Sequence, residues 1–316
     1  MKNPASKIYR TTNWSSYNQA LIKRGNISTW FDPQTKWYAQ PQAKHGRNQT
    51  YSDTAIQCCL MIKSIFRLSL RMVTGFVQSL IQLSGLSWTA PDYSTLCRRQ
   101  KQIDIAISYQ KSHEGLHLLI DSTGLKFLGE GEWKRKKHQP EYRRQWRKLH
   151  IGIDARTLQI RAVQLTTNNV SDSQVLGDLL DQIPLDEQID SVYTDGAYDT
   201  KQCRQVIADR QAYAVIPPRK NTKPWKDNKV HSRERNELLR TVKHLGRIIW
   251  IGRIIWKKWS GYHRRSLVET KMHCIKLLGE KLSAKNFQSQ ANEIHARVAV
   301  LNKFTILGRP HTQVTT

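Results

Sequence analysis

Two aspartates occupy similar positions in the chain, each directly after an apolar stretch and before small residues. They stand in Leu119-Ile120-Asp121-Ser122-Thr123-Gly124 and in Tyr193-Thr194-Asp195-Gly196-Ala197-Tyr198. Small residues let a phosphate backbone approach closely, and carboxylates from rigid elements can hold two divalent metals about 4 Å apart for phosphodiester chemistry. If the two strands are neighbours, the pair predicts a metal-dependent phosphodiester site. Taken alone, either acid is more simply a helix cap or a turn residue.

A third carboxylate, Glu269, lies in a stretch with helical periodicity. Arg265, Glu269 and Lys276 fall on one face of that helix, at positions i−4, i and i+7. Such a stripe would bind metal through the acid and DNA phosphates through the cations. It is also the pattern of an exposed i, i+4 ion pair, worth about 0.3 to 0.5 kcal/mol. Asp154 follows another strand-like stretch, but the chain leads straight into the next strand, so we expect a hairpin acid there.

The elements that must position these acids follow from hydrophobic periodicity. A period of two predicts five strands, at 116–121, 149–154, 158–165, 189–193 and 213–216. Helical periodicity and capping residues predict helices at about 53–67, 69–84, just after Pro91-Asp92, after Ser171 or Asp172, and at about 199–210, 263–282 and 286–306. Three strands, helix, strand, helix and strand predict a mixed α/β sheet with the element order of a ribonuclease H-like core.

The same pattern divides the chain into segments. We expect a polar arm at 1–50, an all-helical, helix-turn-helix-like DNA-binding domain at 51–112, a ribonuclease H-like catalytic domain at 113–307 with a basic insertion at about 217–262, and a disordered tail at 308–316. Arg98 and Arg99 on the short basic helix are candidate DNA contacts. A three-helix bundle with a solvated arginine face would give the same pattern.

Charge points to a polyanionic partner. Lys and Arg number 51 against 25 Asp and Glu, a formal net charge of +26, in a chain that is 39% hydrophobic and has ten Trp. That composition is typical of a folded protein, so the charge lies on structured surfaces. The segment from Pro217 to Arg265 has 15 Lys or Arg against three acids.

A second basic segment, 133–148, lies close to Asp121 in the chain and has interleaved aromatic residues. Its eight cations are Lys134, Arg135, Lys136, Lys137, Arg143, Arg144, Arg147 and Lys148, against Glu141 alone. Basic and aromatic side chains together suit phosphates and an unstacked base. We predict that both basic segments contact DNA; the alternative is a solvated surface.

Several classes of protein are not supported by the sequence. No apolar stretch approaches the about 20 residues of a membrane span, and the first residues do not resemble an export signal. The five cysteines form no CxxC pair, so neither a zinc knuckle nor a disulfide framework is indicated. We expect no membrane partner and a cytoplasmic protein that is nucleoid-associated when bound to DNA.

Four ordered motifs resemble those of DDE transposases from bacterial insertion sequences, in particular the insertion-sequence-five family. Tyr262-x2-Arg265-x3-Glu269-x6-Lys276 matches the Y-x2-R-x3-E-x6-K signature. The two aspartate motifs look like the family's first and second Asp motifs, and Ile216-Pro217-Pro218-Arg219 resembles its strand after the second Asp. The resemblance extends over about residues 50–307.

The resemblance implies a ribonuclease H-like catalytic domain in which Asp121, Asp195 and Glu269 bind two Mg²⁺ per active site, with Mn²⁺ as a substitute. It also implies that Tyr262, Arg265 and Lys276 contact the transposon end. Such an enzyme cleaves each element end to leave a 3′ hydroxyl and joins it to target DNA, as a homodimer on paired ends. Two alternatives stay open: a related nuclease without strand transfer, and a catalytically impaired copy that only binds DNA sequence-specifically.

One departure from the family pattern lies just before the signature. The hexamer Gly246-Arg247-Ile248-Ile249-Trp250-Ile251 is followed at once by Gly252-Arg253-Ile254-Ile255-Trp256-Lys257, where the family has a single such stretch. If the six extra residues bulge into solvent, activity is kept. If they displace the Glu269 helix by about 1 Å, the rate falls by ~100-fold.

Overall fold

The computed structural model describes residues 8–41, 48–111, 114–129, 137, 145–219, 222–245 and 249–315. The chain divides into two compact units, one formed by residues 1–108 with 295–316 and the other by residues 109–294. Within the described ranges, no helix is long and apolar enough to cross a membrane.

The described residues form both strands and helices. In order they are β1 (Ile8–Thr11), α1 (Trp14–Gly25), α2 (Asp53–Phe66), α3 (Leu70–Leu83), α4 (Tyr93–Gln102), β2 (Leu116–Phe127), β3 (Arg147–Asp154), β4 (Ile160–Thr167), α5 (Asp172–Asp181), β5 (Ile189–Tyr193), α6 (Lys201–Asp209), β6 (Tyr213–Val215), α7 (Val230–His244), α8 (Ile249–Trp259), α9 (Ser266–Leu277), β7 (Lys281–Leu282), α10 (Phe287–Leu307) and β8 (Thr312–Thr315). Short 3₁₀ helices lie at Ile27–Thr29, Gly196–Tyr198 and Tyr262–Arg265.

In the first unit, three helices begin close to where the sequence predicts, and each has a capping side chain. The side chains of Ser52, Ser69 and Asp92 each accept a hydrogen bond from a backbone N–H in the first turn of α2, α3 and α4. The predicted helices at 53–67 and 69–84 and the helix after Pro91-Asp92 are therefore confirmed to within one residue. Helix α3 buries the apolar stripe Val73, Val77 and Ile81, whereas α4 buries Leu96 together with the polar Arg99 and Gln100.

The two ends of the chain pair with each other in the first unit. Strands β1 and β8 are antiparallel, with Ile8 opposite Thr315 and Thr11 opposite Thr312. The prediction of a disordered tail is therefore wrong for residues 312–315. Short polar strands have no apolar alternation to mark them, and here the stabilising partner lies about 300 residues away in the sequence.

The second unit contains a mixed sheet with strand order β4-β3-β2-β5-β6. Strands β2, β3 and β4 are antiparallel neighbours, whereas β5 is parallel to β2 and β6 is parallel to β5. The predicted mixed α/β sheet is thus confirmed, and it fits a ribonuclease H-like core. One face of β2 packs under α5 and α6, in a core whose members include Leu116, Leu118, Ile120, Leu176, Leu179 and Ile207.

The central strand is longer than the sequence predicts. Strand β2 does not end at Asp121 but continues six residues further, paired with β3 as far as Leu125 and with β7 at Lys126 and Phe127. The neighbouring β5 ends at Tyr193, opposite Leu119. The acid therefore lies in the interior of a strand, because the partners that extend β2 come from distant segments and not from its own alternation.

The predicted helix at 263–282 is also divided differently. It consists of the 3₁₀ helix Tyr262–Arg265, the α-helix α9 and the short strand β7, which pairs with the far end of β2. Gly279, with φ of +156°, follows the end of α9, a conformation that L residues rarely adopt. The pairing of β7 with β2 therefore anchors the C-terminal side of α9 to the sheet.

Asp154 is the hairpin acid that the sequence predicts. Its carboxylate is buried at the end of β3 and accepts hydrogen bonds from Arg156 N, Thr157 N and Thr157 Oγ1, at 3.1, 2.9 and 2.7 Å. These bonds hold the turn in which Leu158 has a φ of +60°. Asp154 is thus used within the turn that leads into β4.

Replacing this acid tests its structural role. Asp154→Ala should lower the free energy of unfolding by about 1 to 3 kcal/mol, because three buried or partly buried donors lose their acceptor. Urea denaturation followed by circular dichroism measures the change. The exposed Asp186→Ala is the matched control and should change stability little; equal stability of both variants would contradict the assignment.

Candidate functional site

The site starts from the parallel pairing of β2 with β5. Leu118 lies opposite Val192 and Leu119 opposite Tyr193. Because β5 ends here, the chain leaves the sheet and Asp195 emerges beside the stretch of β2 that contains Asp121. The two acid-bearing strands are therefore neighbours, which is the condition under which the sequence predicts a shared site. Asp195 is also close enough for its charge to act on the pKa of Asp121.

The environment of Asp121 is partly buried and electrostatically mixed. Only 15% of its side chain is exposed, and burial raises the pKa of the Asp121 carboxyl above its usual value. The Arg265 guanidinium and the Ser122 N–H, which donates to Oδ1 at 2.9 Å, oppose that rise, and the charge of Asp195 adds to it. A positive charge beside Asp121 therefore favours the ionised form of this carboxyl.

Asp195 is held by the turn that follows β5. It caps the 3₁₀ helix Gly196–Tyr198, and its Oδ1 accepts a hydrogen bond from Ala197 N at 2.8 Å. A Cβ on Gly196 would lie 3.3 Å from the carbonyl oxygen of Pro217, so the neighbouring loop approaches the turn closely. The small residues after Asp195 thus serve backbone packing as well as access.

Arg265 joins the sheet to the signature helix. One guanidinium nitrogen donates to Asp121 Oδ2 and another donates to Glu269 Oε1. Glu269 is on the first turn of α9, with 54% of its side chain exposed. The i, i+4 ion pair of Arg265 with Glu269 is therefore present, but the same guanidinium also holds the acid of β2. Two of the three predicted carboxylates are brought to one cation.

Lys276 makes the second link between α9 and β2. Its Nζ donates to Thr123 Oγ1 at 2.8 Å. Residues two apart on a strand face the same side, so Thr123 and Asp121 both face α9. The predicted one-sided stripe of Arg265, Glu269 and Lys276 is what lies over this part of the strand.

Tyr262, the first residue of the signature, is buried next to these groups. Its ring centroid lies 6.1 Å from that of Trp256, and Lys257 Nζ and the Arg265 guanidinium lie 5.0 and 5.9 Å from it. Burial raises the pKa of the Tyr262 hydroxyl, which is therefore neutral at physiological pH. The tyrosine provides an aromatic face for two cations.

The second copy of the duplicated hexamer provides Trp256 and Lys257, and thus packs against the signature. Both belong to α8, which ends before Gly261, a glycine in the left-handed region with a φ of +67°. Glycine adopts that conformation readily. Residues 246–248 of the first copy lie outside the described residues. The contact with Tyr262 thus depends on residues that directly precede the signature.

The chemistry of the carboxylates suits the divalent metal that the resemblance implies. Carboxylate oxygens are the ligands that Mg²⁺ and Mn²⁺ prefer, and Asp121 and Glu269 already share one cation. Within the described ranges, however, no three Asp, Glu, His or Cys side chains converge closely enough to hold a metal together. The donor chemistry fits, but a metal and Arg265 would compete for the same oxygens.

The structure places the predicted DNA contacts in different surroundings. Arg98 is exposed on α4, whereas Arg99 is only 7% exposed and donates to Asp53 Oδ1 and to the carbonyl oxygen of Tyr51. The Arg99 guanidinium is thus used inside the first unit. This position does not favour a DNA contact, because a one-sided basic helix in sequence does not show which cation faces inward.

The predicted basic segment is divided in a similar way. Arg147 and Lys148 belong to β3: Arg147 Nε donates to Gln290 Oε1 at 2.8 Å, and Lys148 Nζ donates to Val170 O at 2.9 Å. Both therefore have partners inside the second unit. Lys137 is exposed. The remaining cations of this segment lie outside the described residues: Lys134, Arg135, Lys136, Arg143 and Arg144.

Sequence analysis missed a buried network next to the Asp195 turn. Asp199 is fully buried and accepts hydrogen bonds from Arg204 Nε and Arg235 Nε, both at 3.0 Å. Arg219 donates from Nε to Gly196 O at 2.9 Å and from Nη2 to Ala197 O at 2.6 Å. The signal was present, because Asp199 directly follows the second Asp motif and Arg219 ends the Ile216-Pro217-Pro218-Arg219 motif.

The mixed sheet, with one acid on β2, a second in the turn after the adjacent β5 and a third on a covering helix, fits a ribonuclease H-like transposase core. Comparison with known families gives two matches, each to a transposase DDE domain, over residues 22–130 and 112–303. The second match covers more than half of the chain and includes Asp121, Asp195 and Glu269. The chain belongs to the DDE transposase family.

The shared guanidinium predicts competition with metal. Arg265→Gln should tighten Mn²⁺ binding to the DNA-free protein by about tenfold, because removing a charged hydrogen bond worth about 1.4 kcal/mol frees both carboxylates. Titration followed by Mn²⁺ electron paramagnetic resonance measures the affinity.

Lys276→Gln is the matched control, since Lys276 bonds Thr123 and not an acid. The Lys276→Gln variant should bind Mn²⁺ with an affinity within a factor of about two of wild type, a much smaller change than the one expected for Arg265→Gln. Equal affinities of the wild type and the Arg265→Gln variant would show that the guanidinium does not compete with metal.

Proposed function

We propose that this transposase binds the ends of an insertion sequence of the insertion-sequence-five family, cleaves them and joins their 3′ hydroxyls to target DNA. The main support for this proposal is that the Arg265 guanidinium donates to Asp121 on β2 and to Glu269 on α9, beside the Asp195 turn. In this proposal the three carboxylates are ligands of two Mg²⁺, and Mn²⁺ substitutes. The metals, when bound, activate water or the 3′ hydroxyl and neutralise charge on the phosphate.

The chain's own residues then have distinct tasks. A DNA phosphate offers two oxygens to a guanidinium fork and can therefore replace the carboxylates as the partners of Arg265. When Arg265 moves to the phosphate, Asp121 and Glu269 become free to bind metal. DNA binding and metal binding are thereby coupled, because one side chain takes part in both equilibria.

Lys276 and Tyr262 are proposed to contact the transposon end along with Arg265. Lys276 lies over Thr123, two residues beyond Asp121 on the same face of β2. Tyr262 is already surrounded by Lys257 and Arg265, so its ring helps to set the direction of both cations. These positions would hold the phosphate backbone at the acidic edge without requiring sequence-specific contacts there.

Recognition of the end is assigned to the N-terminal helices. Helices α2, α3 and α4 are proposed to form the DNA-binding domain, with Arg98 on the exposed side of α4. Arg99, Arg147 and Lys148 are left out of the contact set because each has partners inside its own unit. We further propose that two copies of the chain act on paired ends, since both ends are joined to one target.

A joining assay tests the proposal. The substrates are a labelled, pre-cleaved duplex with the terminal sequence of the encoding element and a supercoiled plasmid, with Mg²⁺ or Mn²⁺. We expect joined product from the wild type and none from Asp121→Asn or Glu269→Gln, because an amide is a poor ligand for a hard cation. The exposed Asp178→Asn on α5 is the matched control and should keep joining activity.

The other outcomes identify the alternatives. Product from either acid variant would contradict the assignment of that carboxylate. Cleavage without joining would indicate a nuclease with the same core, and end binding without cleavage or joining would indicate a DNA-binding protein only.

The duplicated hexamer gives a separate prediction. Deleting residues 246–251 removes the first copy and keeps Trp256 and Lys257 next to Tyr262. We expect joining by the deletion variant to stay within a factor of about three of wild type, because the deletion leaves the contacts of the signature in place. A displacement of the site by about 1 Å would lower the rate far more. The joining assay above measures it; a large gain on deletion would instead show that the duplication impairs the enzyme.

A further inference from the structure

The loop after β6 presents an arginine at the same edge of the sheet as Asp195. We propose that Arg219 binds a phosphate of the DNA substrate while its side chain is anchored to the Asp195 turn. This inference rests on the proposed function, since it assumes that DNA reaches this edge. It adds a contact outside the signature helix.

The anchoring is visible in three hydrogen bonds. Arg219 Nε and Nη2 donate to the carbonyl oxygens of Gly196 and Ala197 at 2.9 and 2.6 Å, and its backbone N donates to Asp199 Oδ2 at 3.3 Å. The preceding Pro217 and Pro218 are buried and have fixed φ angles. The guanidinium is therefore held in place before any ligand binds, which reduces the entropy lost on binding.

The charge of this guanidinium is not neutralised by its anchors. Its side-chain acceptors are main-chain carbonyls, which carry no net charge. The acid nearest to it in the network, Asp199, already accepts from Arg204 and Arg235. Two guanidiniums thus share the Asp199 carboxylate, and the Arg219 guanidinium adds a third positive charge, so these four side chains have a formal charge of 3 − 1 = +2. A surplus of positive charge beside a reacting carboxylate suits a polyanion.

The remaining donor is available on the outside of the turn. Arg219 is exposed, and in the part of the chain that the structure describes its Nη1 has no hydrogen-bond partner. Because β5 and β6 are parallel neighbours, the residues that follow them emerge at one edge. Arg219 follows β6 as Asp195 follows β5. A phosphate that approaches Asp195 can therefore accept a hydrogen bond from Arg219 Nη1. The hydrogen bonds to the turn keep the guanidinium from pairing with Asp195 itself.

A purely structural role is the competing explanation, in which Arg219 only holds the turn. The two roles differ in whether a lysine at position 219 can perform them. Lysine keeps the positive charge but cannot reach two carbonyls with a planar fork. A phosphate contact depends on charge, whereas a turn clamp depends on the fork.

Salt dependence of DNA binding separates these roles. The affinity of the full chain for the element's terminal duplex is measured by fluorescence anisotropy without metal, between about 50 and 200 mM salt. We expect Arg219→Gln to reduce the magnitude of the slope of log K against log salt by about 0.9, the value for one lost phosphate contact. Arg219→Lys should keep the wild-type slope.

Arg156→Gln is the matched control. Arg156 is an exposed arginine of the same unit, paired with Glu114, in the turn at the opposite end of the sheet. It should leave the slope unchanged. A normal slope for Arg219→Gln, or the same loss of slope in Arg156→Gln, would overturn the inference. A wild type that shows no salt-dependent binding would overturn the proposed function and the inference with it.

A phosphate scan locates the contact. Single phosphates of the duplex are replaced one at a time by neutral methylphosphonates, and affinities are compared for wild type and Arg219→Gln. At the contacted phosphate, the methylphosphonate should lower the affinity of the wild type. It should not lower the affinity of the Arg219→Gln variant any further, because the contact is already lost, so the two changes are non-additive. Additive losses at every position, with a lowered melting temperature for both Arg219 variants, would assign the residue to turn holding and overturn the phosphate contact.

Discussion

Strand β2 has a partner along most of one edge but only near the two ends of its other edge, and the positions of the reactive side chains depend on that pairing. On one side β3 pairs with it from Leu118 to Leu125; on the other side β5 covers its first residues and β7 its last two. The interval between β5 and β7 leaves Asp121 and Thr123 next to the Asp195 turn and under α9. A strand with a partner missing along part of one edge offers a rigid surface on which other elements can place side chains.

Arginine side chains pair with three of the acids at this edge, Asp121, Glu269 and Asp199. Burial and the charge of Asp195 both disfavour ionised Asp121, and Arg265 compensates by donating to it and to Glu269. Asp199 is compensated in the same way by Arg204 and Arg235. Because removing one member of a buried ion pair leaves an unpaired charge, such networks tolerate loss of a partner poorly. An incoming phosphate can take over a guanidinium in a way that an apolar ligand cannot.

The duplicated hexamer illustrates how a helix accommodates an insertion. Residues just before the signature form the helix α8, and Trp256 of the second copy packs against Tyr262. The left-handed Gly261 then separates α8 from the 3₁₀ helix that begins the signature. Contacts with the site depend on the residues nearest to it, so added residues on the distant side of α8 do not have to change them.

The sequence by itself determined the type of most elements, because apolar periodicity and capping residues are local properties of the chain, but it left the pairing of the acid-bearing strands as a condition. It indicated the helices at about 53–67 and 69–84, the helix after Asp92 and the strand Ile189–Tyr193, and it separated the hairpin acid Asp154 from the other aspartates. The resemblance to a known family depended on spacing, which is also local. These features survive in the structure because burial of one face stabilises each element in the form that its own residues favour.

Tertiary structure alone decided what each charged side chain does. Sequence cannot show that β2 continues past Asp121, since β3 and β7 supply the partners, or that the chain ends pair as β1 and β8. Nor can it show that Arg99 turns inward to Asp53 while Arg98 faces out, or that Arg219 clamps the turn after Asp195. A cation's role depends on which acceptors lie within about 3 Å of it, and those acceptors come from segments distant in the chain.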